Sequence, residues 1–138
     1  MEFATLRAEL ACNAESVKRL LAGIPQAETQ RKPAPDSWSM LEVVIGWVAE
    51  RNYNQQDFAG MIEKWVEERR KSLAWLDSLS APDWEAPTTT PFGSMKAGDM
   101  FVSWVTHDIL HMRQLVELRH THVLELSAPY AGAYAGDW

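Results

Sequence analysis

Three long stretches of this 138-residue chain repeat their apolar residues at steps of three and four, and proline-rich interruptions separate them. A chain so patterned can bury its apolar stripes only by packing helices against one another. In the first stretch Phe3, Leu6, Leu10, Ala14, Val17, Leu20 and Leu21 share one face, which predicts a helix from about Glu2 to Ala22. Gly23 then supplies a residue that tolerates left-handed geometry, and Pro25 bars continuation. The stretch from Ile24 to Ser37 holds three prolines and reads as a surface loop.

Ser39 followed by Glu42 is a capping-box pattern, so a second helix is expected to start at Ser39 and run to about Glu50. Asn54 and Asp57 give a weaker start signal for a third helix, from about Asn54 to Ser78, carried by Phe58, Met61, Ile62, Trp65, Val66, Leu73 and Leu76. Between Ser80 and Ser94, prolines, a threonine triplet and Gly93 predict a long surface loop, with Trp84 pinning it to the helices. A fourth helix is expected from about Ala97 to His120. The tail from Ala128 to Trp138 is too glycine-rich for a stable helix and is expected to dock through Tyr130, Tyr134 and Trp138. With no strand-period alternation and no internal repeat, the expectation is one all-α domain over residues 1–138, an up-down-up-down four-helix bundle.

Helix lengths qualify that picture. The first, third and fourth helices would span about 30 to 40 Å, whereas a helix from Ser39 to Glu50 spans about 18 Å. A lone bundle with one half-length helix leaves apolar stripe exposed, so a homodimer is expected. Either two protomers cover each other, or the second and third helices fuse into a rod that is exchanged between copies. Gly46 and Asn52-Tyr53-Asn54 lower helical propensity and favour a break over a rod.

Charge narrows the partners. A net charge of -6 with a pI near 5.2 argues against nucleic acid, whose binding needs a concentrated Lys/Arg surface. Arg69-Arg70-Lys71 directly follows Glu67-Glu68 and reads as a solvated face of local ion pairs. Charged residues interrupt every apolar run before it reaches the roughly 18 residues of a membrane span. The opening residues lack the basic start and apolar run of a secretory leader. A lone cysteine, Cys12, cannot form an internal disulfide, and it reads as a small packed or half-exposed thiol. A soluble, cytoplasmic protein is expected.

The residues that carry chemistry are His107 and His111. Four apart on one helix, they project from one face with Cβ atoms about 5 to 6 Å apart and can share one divalent transition metal, zinc or nickel among the candidates. Trp104, Asp108 and Leu115 fall nearby, and Gln114 flanks the same face. His107-Asp108-Ile109-Leu110-His111 differs from the zinc-protease pattern H-E-x-x-H by Asp for Glu, but the shorter side chain and the absence of a suitably spaced downstream ligand argue against that chemistry. His120 and His122 are expected to end the helix, where its dipole favours them.

The segment P-x-P-D-S-W-S-M-L-E-V-V at Pro33 to Val44, the block H-D-I-L-H-M-R-Q-L at His107 to Leu115, and the closing Tyr134-Ala135-Gly136-Asp137-Trp138 together resemble a DinB-like domain. That resemblance implies a four-helix bundle, often dimeric, in which three histidines hold a divalent metal: one on the second helix and two, four apart, on the fourth. His107 and His111 match the pair. The second-helix ligand would fall on Gly46, which has no ligating side chain, so the resemblance implies a partly lost site and a shortened second helix. Glu42 and Glu50 are the replacement ligands to consider.

Two functions follow from the resemblance. One is a divalent-metal-dependent enzyme of the thiol-dependent transferase, isomerase or hydrolase type, acting on a small molecule. The other is a non-catalytic, metal-free bundle that binds a small apolar ligand or a protein. Trp38, Trp47, Trp65, Trp75 and Trp104 bear on the second, as pocket walls or, the preferred reading, as core and interface anchors.

Overall fold

The computed structural model describes residues 2–45, 56–91 and 93–136, and they are mostly helical. Helix α1 spans Phe3–Leu21, α2 is a single turn at Gln26–Thr29, α3 spans Met40–Ile45, α4 spans Phe58–Ser78 and α5 spans Ala97–Ser127. The local start signals act as expected. Ser39 N–H donates to Glu42 Oε2 at 2.9 Å and Glu42 N–H donates to Ser39 Oγ at 3.1 Å, closing the capping box ahead of α3. Asp57, not Asn54, caps α4, accepting from Gly60 N–H at 2.6 Å; Asn54 lies outside the described residues. Past α1, Gly23 takes a φ of +76°, the left-handed conformation that turns the chain away from the helix axis.

Three expectations are corrected. The segment read as a loop from Ile24 to Ser37 contains α2. The long loop before α5 contains an antiparallel hairpin, β1 (Pro87–Thr90) against β2 (Gly93–Lys96), with Thr88 opposite Met95 and Thr90 opposite Gly93. The fold remains mostly helical with this one small hairpin added: β-branched threonines suit a pleated edge, and four residues are too few to show strand periodicity. Helix α5 continues past His120 to Ser127, because no breaker occurs before Pro129 and Arg31 holds Glu125 in an ion pair.

In the described part of the tail the two tyrosines do not dock as expected. Tyr130 is 81% exposed and Tyr134 fully so, with a short 3-10 turn at Ala133–Ala135; Trp138 lies outside the described residues. Cys12, read as packed or half-exposed, has its thiol on the exposed side of α1.

Side-chain pairs give the helix directions. Arg7 bonds Asp77 and Lys18 pairs with Glu63, so α1 and α4 run antiparallel. Phe3 meets Phe101, Asn13 meets Asp108 and Arg119 donates to the Leu20 carbonyl, so α1 and α5 run parallel. An up-down-up-down order would reverse both relations. The described contacts that set these directions are those made where the chain re-enters beside the end of α1. Gln26 accepts from Phe58 N–H and donates to the Gln56 carbonyl, each at 2.9 Å, so α4 begins at the same end where α1 stops. Whether α3 extends towards Glu50 or fuses with α4 lies outside the described residues.

Helix α1 packs on α4 and α5, and α3 packs on the same two helices. Two hydrophobic clusters result. One joins Ala14, Val17 and Leu21 to α3, the start of α4 and Leu115; the other joins Leu10, Leu76, Phe101 and Val105 beneath Trp84. Trp84 stacks on Phe101 with ring centres 5.3 Å apart, so it does pin the hairpin segment to the helices. Among the described residues no helix is long and apolar enough to cross a membrane.

Candidate functional site

Helix α5 carries His107 and His111 one turn apart, and the structure brings them together. Their Nε2 atoms lie 3.2 Å apart, with the rings nearly perpendicular at 89° and their centres 4.3 Å apart. His107 is exposed and His111 is buried, so the pair opens to solvent from one side. Gln114, one turn further on, holds its Oε1 2.7 Å from His111 Nδ1. An amide oxygen only accepts, so Nδ1 is the protonated nitrogen of His111 and its Nε2 lone pair is left facing His107. Burial, with a smaller contribution from His107, pushes the His111 imidazolium below its ordinary pKa against the pull of Gln114, which favours the neutral ring a metal requires.

This geometry suits a shared metal ion. Two imidazole nitrogens, each about 2.05 Å from a tetrahedral zinc, lie roughly 3.3 Å apart. Among the described residues no group of three or more His, Cys, Asp or Glu side chains is placed to hold an ion. Gly46 and Glu50 lie outside those residues. Glu42 is engaged elsewhere, closing the α3 cap and pairing with Lys32 at 2.9 Å.

Asp108, next to His107 in sequence, has its carboxylate taken up by other helices. It is fully buried, accepting from Arg69 Nη2 at 2.7 Å and from Asn13 Nδ2 at 3.5 Å, so it ties α5 to α4 and α1. Burial pushes its carboxyl above the ordinary range, and Arg69 and Asn13 oppose that. At the position where the zinc-protease pattern has its Glu, this carboxylate is therefore already engaged by Arg69 and Asn13. Arg69 departs from its expected solvated face. Arg70 and Lys71 pair with Glu67 and Glu68, but Arg69 is buried, its guanidinium 5.6 Å from the Trp65 ring centre and 5.0 Å from that of Trp104. Among the described residues its Nη1 has no hydrogen-bond partner. A sequence signal existed: Met61, Trp65 and Arg69 stand four apart on the buried face of α4.

His120 and His122 sit inside α5 rather than at its end, and His122 Nδ1 lies 3.1 Å from Glu28 Oε2. The tryptophans divide. Trp65 is a core anchor, whereas Trp75 and Trp38 are more than half exposed; Trp47 lies outside the described residues. Trp75 and Trp104, with Trp84, line an apolar cleft of ≈ 370 Å³ between α4 and α5.

A family model described as the DinB superfamily matches residues 45–115, which include both histidines, Arg69 and Asp108. Among curated proteins, none matches this chain.

Proposed function

The chain belongs to the DinB superfamily, and from that premise we propose that it is a metal-dependent enzyme in which His107 and His111 hold one divalent transition ion, zinc or nickel. The observation that carries this reading is the 3.2 Å separation of the two Nε2 atoms, with Gln114 setting the His111 tautomer. A bound ion there would act as a Lewis acid and lower the pKa of a coordinated thiol or water. If the two histidines are the protein ligands, as they are the pair brought together among the described residues, the remaining positions are open to a substrate donor, which suits a thiol-dependent transferase, isomerase or hydrolase working on a small molecule. His111, held by Gln114 and by burial, is the rigid ligand. His107, on the solvent side, borders the route by which a substrate enters.

The same reading includes a four-helix bundle with a shortened second helix, and a second copy that covers the apolar residues α5 leaves exposed, among them Ile109, Leu110 and Leu126. A cytoplasmic setting accompanies it.

The test is metal content after purification without added metal, followed by zinc and nickel titration of the wild type and of His107→Ala. Near-stoichiometric ion in the wild type and little in the variant is the expected result, with a rise in melting temperature on metal addition to the wild type alone. Empty protein that neither ion stabilises sinks the enzyme reading. It leaves the second one, a metal-free ligand-binding bundle, which the cleft at Trp75 and Trp104 favours.

A further inference from the structure

The two histidines share their face of α5 with an apolar wall. Trp104 precedes His107 by three residues, one helical turn or about 4.5 Å along the axis. It closes one side of the ≈ 370 Å³ cleft that Trp75, Leu76, Trp84, Met100 and Phe101 complete. That volume falls within the range of roughly 300 to 1,000 Å³ for small-molecule sites.

The walls differ in burial. Leu76 and Phe101 are core residues, 2% and 4% exposed, so the floor of the cleft is fixed by packing. Trp84 is held against that floor by its stack on Phe101, the planes tilted by 25°. Trp75 and Met100 form the rim, 57% and 45% exposed, an indole and a flexible thioether that water contacts at a cost. A rigid aromatic floor beneath an adaptable apolar rim is complementary to a flat ring. Such walls offer a ligand little hydrogen bonding, so any polar group it carries is driven out of the cleft. Along α5 the next turn from Trp104 is His107.

We infer that the cleft takes the aromatic ring of a ligand whose donor group, a thiolate or carboxylate, reaches the ion at His107 and His111. The ligand class is therefore a small aryl compound with a metal-binding group a few bonds from its ring. The ring half of this inference stands on the cleft; the donor half rests on the metal reading above.

The experiment is a pair of titrations, phenylmethanethiol and ethanethiol, under reducing conditions, followed by the indole and imidazole resonances of ¹⁵N-labelled protein with and without zinc. With zinc, phenylmethanethiol is expected to move the Trp75, Trp84 and Trp104 indole signals together with those of His107 and His111. It should bind roughly tenfold more tightly than ethanethiol, the surplus coming from the buried ring. Trp75→Ala, at an exposed position, should remove most of that preference while leaving zinc binding intact, and Met100→Glu should do the same. Equal affinity for the two thiols, or imidazole signals that move while the indoles stay still, would overturn the inference and leave the metal reading standing. Zinc that fails to bind, with indoles that still respond to the ring, would overturn the metal reading and the donor half with it. Indole shifts that follow protein concentration instead of ligand would mark the cleft as a contact between copies, and the inference would fall.

Discussion

Arg69 Nη2 donates to Asp108 Oδ1 across 2.7 Å in the interior, where the two side chains are 4% and 0% exposed. Asn13 adds a second donor to the same carboxylate, so one polar layer links α4, α5 and α1 between the two hydrophobic clusters. Removing one partner strands the other charge in the core. Asp108→Ala is expected to lower unfolding free energy by about 3 to 5 kcal/mol, and the double change Arg69→Met with Asp108→Leu to cost clearly less than that single change. Urea unfolding of the three proteins measures this. An Asp108→Ala protein as stable as the wild type would show that the pair contributes nothing.

Gln114 bonds His111 Nδ1 and would act on an ion at the proposed site through that ring. It is itself exposed, so Gln114→Leu should leave stability nearly unchanged while releasing the Nδ1 hydrogen bond that orients the ring. Zinc affinity is expected to fall on the order of 10- to 100-fold, the usual effect of losing such a supporting partner. A competition titration against a chelating dye reads it directly. Unchanged affinity would mean that burial alone orients His111.

Glu42 gives the protein a pH-dependent contribution. Burial alone would raise its carboxyl pKa, but the Lys32 ammonium and the Ser39 backbone N–H outweigh that and hold it below the ordinary value. A carboxyl depressed in the folded state stabilises fully above its unfolded pKa and loses that contribution as pH falls through the folded value. Glu42→Gln should therefore cost about 1 kcal/mol at neutral pH, and the gap to wild type should close as the solution is acidified through the carboxylate range. A gap constant with pH would contradict the assignment.

Gly23 isolates a pure backbone effect. Its φ is +76°, and a Cβ added there would meet nothing within 4 Å, so Gly23→Ala introduces strain without a clash. The expected loss is about 1 kcal/mol, or roughly 4 °C in thermal midpoint. Circular-dichroism melting suffices to check it, and an unchanged midpoint would show that the turn beyond α1 can relax.

The parts of this protein legible in advance were those encoded by near neighbours. The Ser39–Glu42 cap spans three residues, the His107–His111 pair four, and the stop at Gly23 and Pro25 acts within one turn. Strand pairing escaped because Thr88 and Met95 recognise each other across a turn, and their short segments carry no periodic signal. Arg69 escaped because a charge run normally faces water; its burial depends on Asp108, 39 positions away.

From sequence alone, then, follow the helices, their caps and two imidazoles on one face, because backbone geometry at 3.6 residues per turn dictates those neighbourhoods wherever the helix sits. Direction and partnership belonged to the tertiary structure. Arg7 finds Asp77 across 70 positions only because α4 starts beside the end of α1, and such contacts depend on where the chain returns, which no local spacing records. The aromatic cleft arises the same way, from residues of α4, α5 and the hairpin segment that have no common pattern until the helices pack.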